Sequence, residues 1–237
     1  MSEIKAVLFD LGGTLLSGDG FVEASGRALC RIAGLEHDRA GGERSAQAMR
    51  AAFASAGAAF VARPFYLHRE LFAAVTAGAL LELGVEPTAA RLAAFGQLMA
   101  AAITEPAPVR DGVHETLREL RARGLHLGIV SNADEEHLWP LARNAGLEPL
   151  FDSLLSSEAA GSCKPDPRIF AEALRRAGCA ADEALFVGDM LPFDIAGANR
   201  AGICSVLILD GFEVATTTCA ARPDHVIRAI PEVLTLV

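Results

Sequence analysis

The chain has 237 residues and a formal net charge of -9, with 51% hydrophobic and 22% charged residues. That composition is globular rather than disordered, and it is long enough for one large domain or two modest ones with real cores. The acidic balance argues against nucleic acid or an anionic membrane as the main partner, so an anionic substrate would need a locally positive site, most simply a bound divalent cation.

The first predicted element is a strand. Ala6-Val-Leu-Phe9 is a continuous apolar run that stops on Asp10, followed at once by Leu11-Gly-Gly-Thr14. Such a run is the pattern of a parallel strand covered on both faces, and its carboxyl end is where open α/β sheets place ligands. An aspartate there suits a nucleophile or a metal ligand, and equally a plain strand-ending turn. Leu15 to Gly20 reads as a loop with Gly18 and Gly20 as breakers. From Phe21 to about Ile103 the chain is alanine-rich with helical spacing. Four helices are predicted there, near 21–34, 43–61, 66–84 and 88–103, punctuated by Gly34, Gly41-Gly42, Pro64 and Pro87. Thr104-Glu-Pro-Ala-Pro108 is a linker. Beyond it a helix near 111–123 precedes the strand Leu125–Val130, which ends on Ser131-Asn132. A helix near 134–145, a short strand at 153–156 and a helix over Pro167–Ala177 follow. Then come the strand Ala184–Val187 ending on Gly188-Asp189, a helix near 192–201, the strand Ile203–Leu209, and a final strand and helix within Pro223–Val237. Strand–helix alternation predicts an α/β fold with a doubly wound parallel sheet, interrupted by a helical insert.

Other features set the expected context. The cysteines Cys30, Cys163, Cys179, Cys204 and Cys219 are odd in number and scattered, without a C-x-x-C pair, so neither a zinc site nor a disulfide framework is expected. The N-terminus enters a strand without signal-peptide character, and no apolar run approaches a membrane span. A cytoplasmic protein is the expectation.

Three further strand ends carry polar groups. Gly188-Asp189-x-x-x-x-Asp194 places two carboxylates five apart, an oxygen set suited to Mg²⁺; the alternative is that Asp194 is a solvated first-turn acid favoured by the helix dipole. Ser131 and Asn132 offer a hydroxyl and a backbone N–H, donors for a phosphate or the makings of a helix cap. Lys164, in Gly161-Ser-Cys-Lys-Pro-Asp-Pro167, is one of only two lysines, the other being Lys5. A compact ammonium kept where arginine is the habit fits an ion pair with carboxylates and a phosphate, or else a surface lysine.

Together, Asp10-x-x-Gly-Thr14, the strand ending in Ser131-Asn132, Lys164-Pro165 and Gly188-Asp189-x-x-x-x-Asp194 resemble the four motifs of the haloacid dehalogenase superfamily, in the family's order. The resemblance implies a Rossmann-like core at 1–16 and 106–237 with an inserted helical cap at 17–105. It implies a phosphatase of small phosphorylated metabolites, monomeric or homodimeric, with Asp10 as the nucleophile that becomes an aspartyl-phosphate. Asp10, the backbone carbonyl of Gly12 and Asp189 would hold Mg²⁺, with Asp194 reaching it through water. Thr14, Ser131, Asn132 and Lys164 would bind the phosphoryl group, Lys164 also tethering the nucleophile. Cap residues would choose the substrate by closing over the site; Arg63, Tyr66, His68 and Arg69 are the candidates, the alternative being that they form a solvated helix start.

One position departs from that pattern. Phosphatases of the family usually carry a second aspartate two residues after the nucleophile, which protonates the leaving group and then activates water; here it is Gly12. A general acid–base contributes typically 10²–10⁴-fold, so alkyl phosphates should suffer most and acyl phosphates least, unless Asp19, Glu23 or His68 substitutes. A non-catalytic phosphate- or metabolite-binding module is therefore the alternative. Phosphonate cleavage is not expected, since no lysine lies between Ser17 and Glu105. Dehalogenation is less favoured, since those enzymes need no metal and lack the Gly-Asp-x-x-x-x-Asp ending.

Overall fold

A computed structural model describes residues 3–36, 38–103, 108–209 and 220–237. The chain packs as two compact units, Met1–Gly18 with Ala107–Val237, and Asp19–Pro106.

The first unit is built on six parallel strands: β1 (Ala6–Phe9), β2 (His126–Ser131), β3 (Ser153–Ser156), β4 (Ala184–Gly188), β5 (Cys204–Ile208) and β6 (His225–Ile227). Their order across the sheet is β3-β2-β1-β4-β5-β6. The order reverses at β1, which pairs with β2 on one side and β4 on the other, with Phe9 opposite Ile129 and Val187. This is the switch point at which doubly wound sheets open a crevice at their carboxyl ends. All four residues of β1 are buried because successive side chains enter different cores. Val7 and Phe9 pack with Val113, Leu117 and Leu120 and with Leu138 and Ala142. Ala6 and Leu8 pack on the opposite face with Ile169, Phe170, Ala173 and Ala198. Burying side chains of this size contributes about 1.5–3 kcal/mol each, which is why the strand tolerates no polar residue before Asp10.

The second unit holds α1 (Gly18–Ala33), α2 (Arg39–Val61), α3 (His68–Glu82) and α4 (Ala89–Ile103). Two boundaries correct the expectations from glycine. Gly18 and Gly20 lie inside the first turn of α1, and Gly41-Gly42 inside the first turn of α2. First-turn N–H groups have no intrahelical partner, so glycine weakens those positions less than a mid-helix site. At α2 the cap also decides, since the Asp38 carboxylate accepts the Gly41 N–H at 2.8 Å. Among the described residues no helix is long and apolar enough to cross a membrane.

The core unit's helices are α5 (Val113–Ala122), α6 (Glu135–Asn144), α7 (Ser157–Ala160), α8 (Pro167–Ala177) and α9 (Ala196–Ala201). Instead of one helix over 192–201, a π-helical turn at Leu191–Ile195 precedes α9, and the chain closes on a 3₁₀ turn, Ile230–Thr235, rather than an α-helix. The described cysteines Cys30, Cys163, Cys179 and Cys204 are free thiols. Cys219 and most of the linker (residues 104–107) lie outside the described residues.

Candidate active site

Asp10 is set by β1, and its N–H donates to the Val187 carbonyl of β4 at 2.9 Å. Lys164 reaches it from the turn between α7 and α8. The Lys164 Nζ donates to Asp10 Oδ1 at 2.6 Å and lies 2.8 Å from Asp194 Oδ1. The ammonium is 3% exposed and stands 5.5 Å from the centre of the Phe186 ring. Lys164 is thus no surface lysine. Nor is Asp194 a solvated first-turn acid: it is 1% exposed, and its Oδ2 accepts the Met190 N–H at 3.0 Å. The wide π turn delivers it there, an irregularity that recurs at functional sites.

Asp189, at the end of β4, completes the set. Carboxylate oxygens of Asp10, Asp189 and Asp194 lie within 4.8 Å of one another. Three carboxylates against one ammonium leave two negative charges in a buried site if all ionise, the charge of one divalent cation. Burial, the Asp194 charge and the Asp10 charge push the Asp189 carboxyl up to about 8. Burial pushes Asp10 up to about 6, Lys164 pulling it down and Asp194 pushing it up. Burial would lower the Lys164 ammonium, but Asp10 and Asp194 more than offset it and raise it above its ordinary value. The donor set therefore fits a hard cation that takes oxygen ligands.

The remaining sequence candidates divide. Ser131 ends β2 and is buried. The Asn132 side chain clasps the Lys164 backbone, accepting its N–H at 2.7 Å and donating to its carbonyl at 3.0 Å. Neither residue caps α6, whose N-cap is Asp134. Thr14 is fully buried and its Oγ1 donates to Asp189 Oδ1 at 3.4 Å. Gly12 is exposed, with ordinary φ, and a Cβ there would meet nothing within 4 Å. Gly13 has φ +83°, and a Cβ there would come within 2.3 Å of Asp189 Oδ2. Only glycine lets that carboxylate sit against the turn.

In the helical unit the four candidates do not form one exposed cluster. Tyr66 is 4% exposed, its ring edge-on to Phe60 at 5.1 Å. Its ring thus packs within its own unit. Arg63 is exposed and lies over the Phe60 ring, His68 stacks edge-on to Phe72 at 4.6 Å, and Arg69 is exposed. Of the substitute acid–bases, Glu23 pairs with Arg27 one turn along α1, and the Asp19 side chain lies outside the described residues.

The sequence reading missed Arg110. Its guanidinium Nη2 donates to the Gly13 carbonyl, a contact between residues far apart in the chain that no local spacing reveals.

Comparison with known proteins places this geometry. Residues 4–202 match the family model described as haloacid dehalogenase-like hydrolase. A human protein, haloacid dehalogenase-like hydrolase domain-containing protein 3, is 46% identical over 101 residues, 43% of this chain and 40% of that protein, so the match spans less than half of its length. Glyceraldehyde 3-phosphate phosphatase of Methanopyrus kandleri is 34% identical over 217 residues, 88% of this chain and 85% of the relative. Among solved structures, the putative HAD-hydrolase YfnB from Bacillus subtilis, bound to magnesium, superposes with TM-score 0.80 at 21% identity, covering 99% of each chain. L-2-haloacid dehalogenase from Xanthobacter autotrophicus superposes with TM-score 0.73 at 26% identity, covering 98% of each.

Proposed function

We propose that this chain, which belongs to the haloacid dehalogenase-like hydrolases, is a Mg²⁺-dependent phosphatase of small phosphorylated metabolites that works through a phosphoaspartate on Asp10. The observation that carries the reading is the buried Lys164 ammonium held between Asp10 and Asp194, with Asp189 completing a nest of oxygens. Asp10, the Gly12 carbonyl and Asp189 would hold the metal, and Asp194 would reach it through water. A bound Mg²⁺ supplies charge that lets a phosphate dianion approach carboxylates.

In the proposed reaction an Asp10 carboxylate oxygen attacks phosphorus, and the bond from phosphorus to the leaving oxygen breaks with its electron pair. Lys164 keeps Asp10 oriented and offsets its charge; the Ser131 hydroxyl and the Asn132 backbone N–H fit the non-bridging oxygens, and Thr14 backs Asp189. Water then hydrolyses the acyl phosphate, regenerating the carboxylate and releasing inorganic phosphate. No side chain at Gly12 protonates the leaving alcohol or deprotonates that water.

The presence of Asp189 and Asp194 beside Lys164 favours this reading over dehalogenation. Gly12 favours a second one, a phosphate-binding module that has lost turnover. The deciding experiment is phosphate release from a metabolite panel that includes glyceraldehyde 3-phosphate and acetyl phosphate, with Mg²⁺ and with chelator. Turnover that needs Mg²⁺ and vanishes in Asp10→Asn is expected. Full activity in chelator, or in Asp10→Asn, would sink the phosphatase reading; Mg²⁺-dependent phosphate binding without turnover would select the binding module.

A further inference from the structure

We infer that Arg110 is a positioning residue of this site, fixing the Gly12–Gly13 turn so that the metal-holding oxygens keep their places. Two adjacent glycines, separated from Asp10 only by Leu11, make the softest backbone in the loop, since glycine has the widest conformational range of any residue. Gly13 is held on three sides. Its N–H donates to the Leu16 carbonyl at 2.9 Å, which orients the peptide that carries the Gly12 carbonyl. Its Cα lies against the Asp189 carboxylate, where a Cβ would clash. Its own carbonyl accepts from the Arg110 guanidinium, which orients the next peptide, the one into Thr14. Thr14 in turn donates to Asp189. Removing the guanidinium frees the ψ rotation of Gly13 and loosens the wall behind Asp189.

Arg110 is well mounted for that task. Its N–H donates to the Leu15 carbonyl at 3.0 Å, Val109 bridges Leu16 in antiparallel sense, and the Ser17 N–H donates to the Pro108 carbonyl at 2.8 Å. The segment 108–110 is thus pinned along 15–17, and its side chain returns to the same loop. A planar guanidinium keeps its donors in a fixed fork, which a flexible ammonium does not.

The test uses the full chain as wild type, Arg110→Met and Arg110→Lys, with three readouts: Mg²⁺ affinity by calorimetry, turnover of para-nitrophenyl phosphate at saturating Mg²⁺, and thermal melting. Arg110→Met, which keeps the stem but no donor, should bind Mg²⁺ about 10–100-fold more weakly, the range seen when a group behind a metal ligand is lost. Its kcat should fall in parallel while KM stays unchanged, and Arg110→Lys should recover part of both. Unchanged Mg²⁺ affinity in a folded Arg110→Met overturns the inference. So does a rise in KM alone, which would make Arg110 a substrate contact. Should Arg110→Met fail to fold, Arg110→Lys decides: weakened Mg²⁺ binding supports the inference and wild-type binding overturns it. Only the turnover arm rests on the phosphatase reading. A wild type that binds Mg²⁺ without turnover sinks that reading and leaves the calorimetric arm intact, whereas an active wild type with an unaffected Arg110→Met sinks this inference alone. A wild type that binds no Mg²⁺ overturns both.

Discussion

Gly12 and Gly13 stand side by side two residues after Asp10 with opposite tolerance for a side chain. At Gly12 the backbone is ordinary and a Cβ meets open space, so the left-handed strain that a glycine pair suggests falls on Gly13 alone. Gly12→Asp should therefore fold with an unchanged melting temperature. It should raise phosphate release from alkyl phosphates at least about tenfold, toward the 10²–10⁴ that a general acid–base supplies, and change acyl phosphates little. Rates on both substrates at saturating Mg²⁺ check this; a wild type already fast on alkyl phosphates with a slower variant would assign the acid–base role to another residue. Gly13→Ala is the contrast. It incurs about 1–2 kcal/mol of left-handed strain, and its methyl would sit 2.3 Å from Asp189 Oδ2. The expected result is a lower melting temperature together with lost Mg²⁺ affinity.

At the scale of elements, the turn Leu191–Ile195 shows what a sequence conceals. β1 and β4 were legible because an apolar run of this kind has one stable place, the buried middle of a parallel sheet. Asp10 and Asp189 were legible because each directly follows a buried apolar strand, Asp194 by its spacing from Asp189, and Lys164 because the chain has only one other lysine. What could not be read was where local chemistry overrides propensity: the Asp38 cap that carries α2 through two glycines, and the wide turn that swings Asp194 inward. Arg110 was illegible for a different reason, since a side chain bonding a carbonyl ninety-seven positions away leaves no periodicity. The packing of Tyr66 on Phe60 was illegible too, since a polar aromatic beside arginines gives no local sign of which ring it meets. The wide turn also has a test. A Cβ on Gly188 would lie 2.4 Å from Asp194 Cβ and Cγ, so Gly188→Ala must push the turn outward. That overpacking should cost about 1–3 kcal/mol and separate Asp194 from Lys164. Melting and activity should fall together; an active, fully stable Gly188→Ala would show that the Lys164–Asp194 pair is dispensable.

For the whole molecule, the charge imbalance of the site should appear as a coupling between pH, metal and stability. Asp10, at about 6, and Asp189, at about 8, both hold protons more tightly in the folded chain than an ordinary carboxyl does. A carboxyl raised on folding contributes stability that is full below its unfolded value of about 4 and drains as pH rises through its folded value. Surface pairs such as Glu172 with Arg175 and Arg176 act in the other direction, but their carboxylates are lowered, Glu172 to about 2, and so titrate below this window. His126, lowered by burial, also acts in the other direction, at the acid end of the window, and is outweighed by the two buried carboxyls. The metal-free protein should therefore lose stability steadily between about pH 5 and pH 8, with Asp10 responsible for the lower part and Asp189 for the upper. In the proposed function Mg²⁺ binds the ionised set and not the unfolded chain, so it should restore stability most at the alkaline end, by about 2.7 kcal/mol at a hundred times its dissociation constant. Asp189→Asn removes the carboxyl that titrates highest and one of three like charges. Its metal-free melting curve should flatten above about pH 6, and Mg²⁺ should no longer raise it. Melting temperatures of both proteins across that pH range, with chelator and with Mg²⁺, decide the matter. A wild type whose metal-free stability rises from pH 5 to 8, or an Asp189→Asn still stabilised by Mg²⁺, would mean that these carboxylates do not share one cation site.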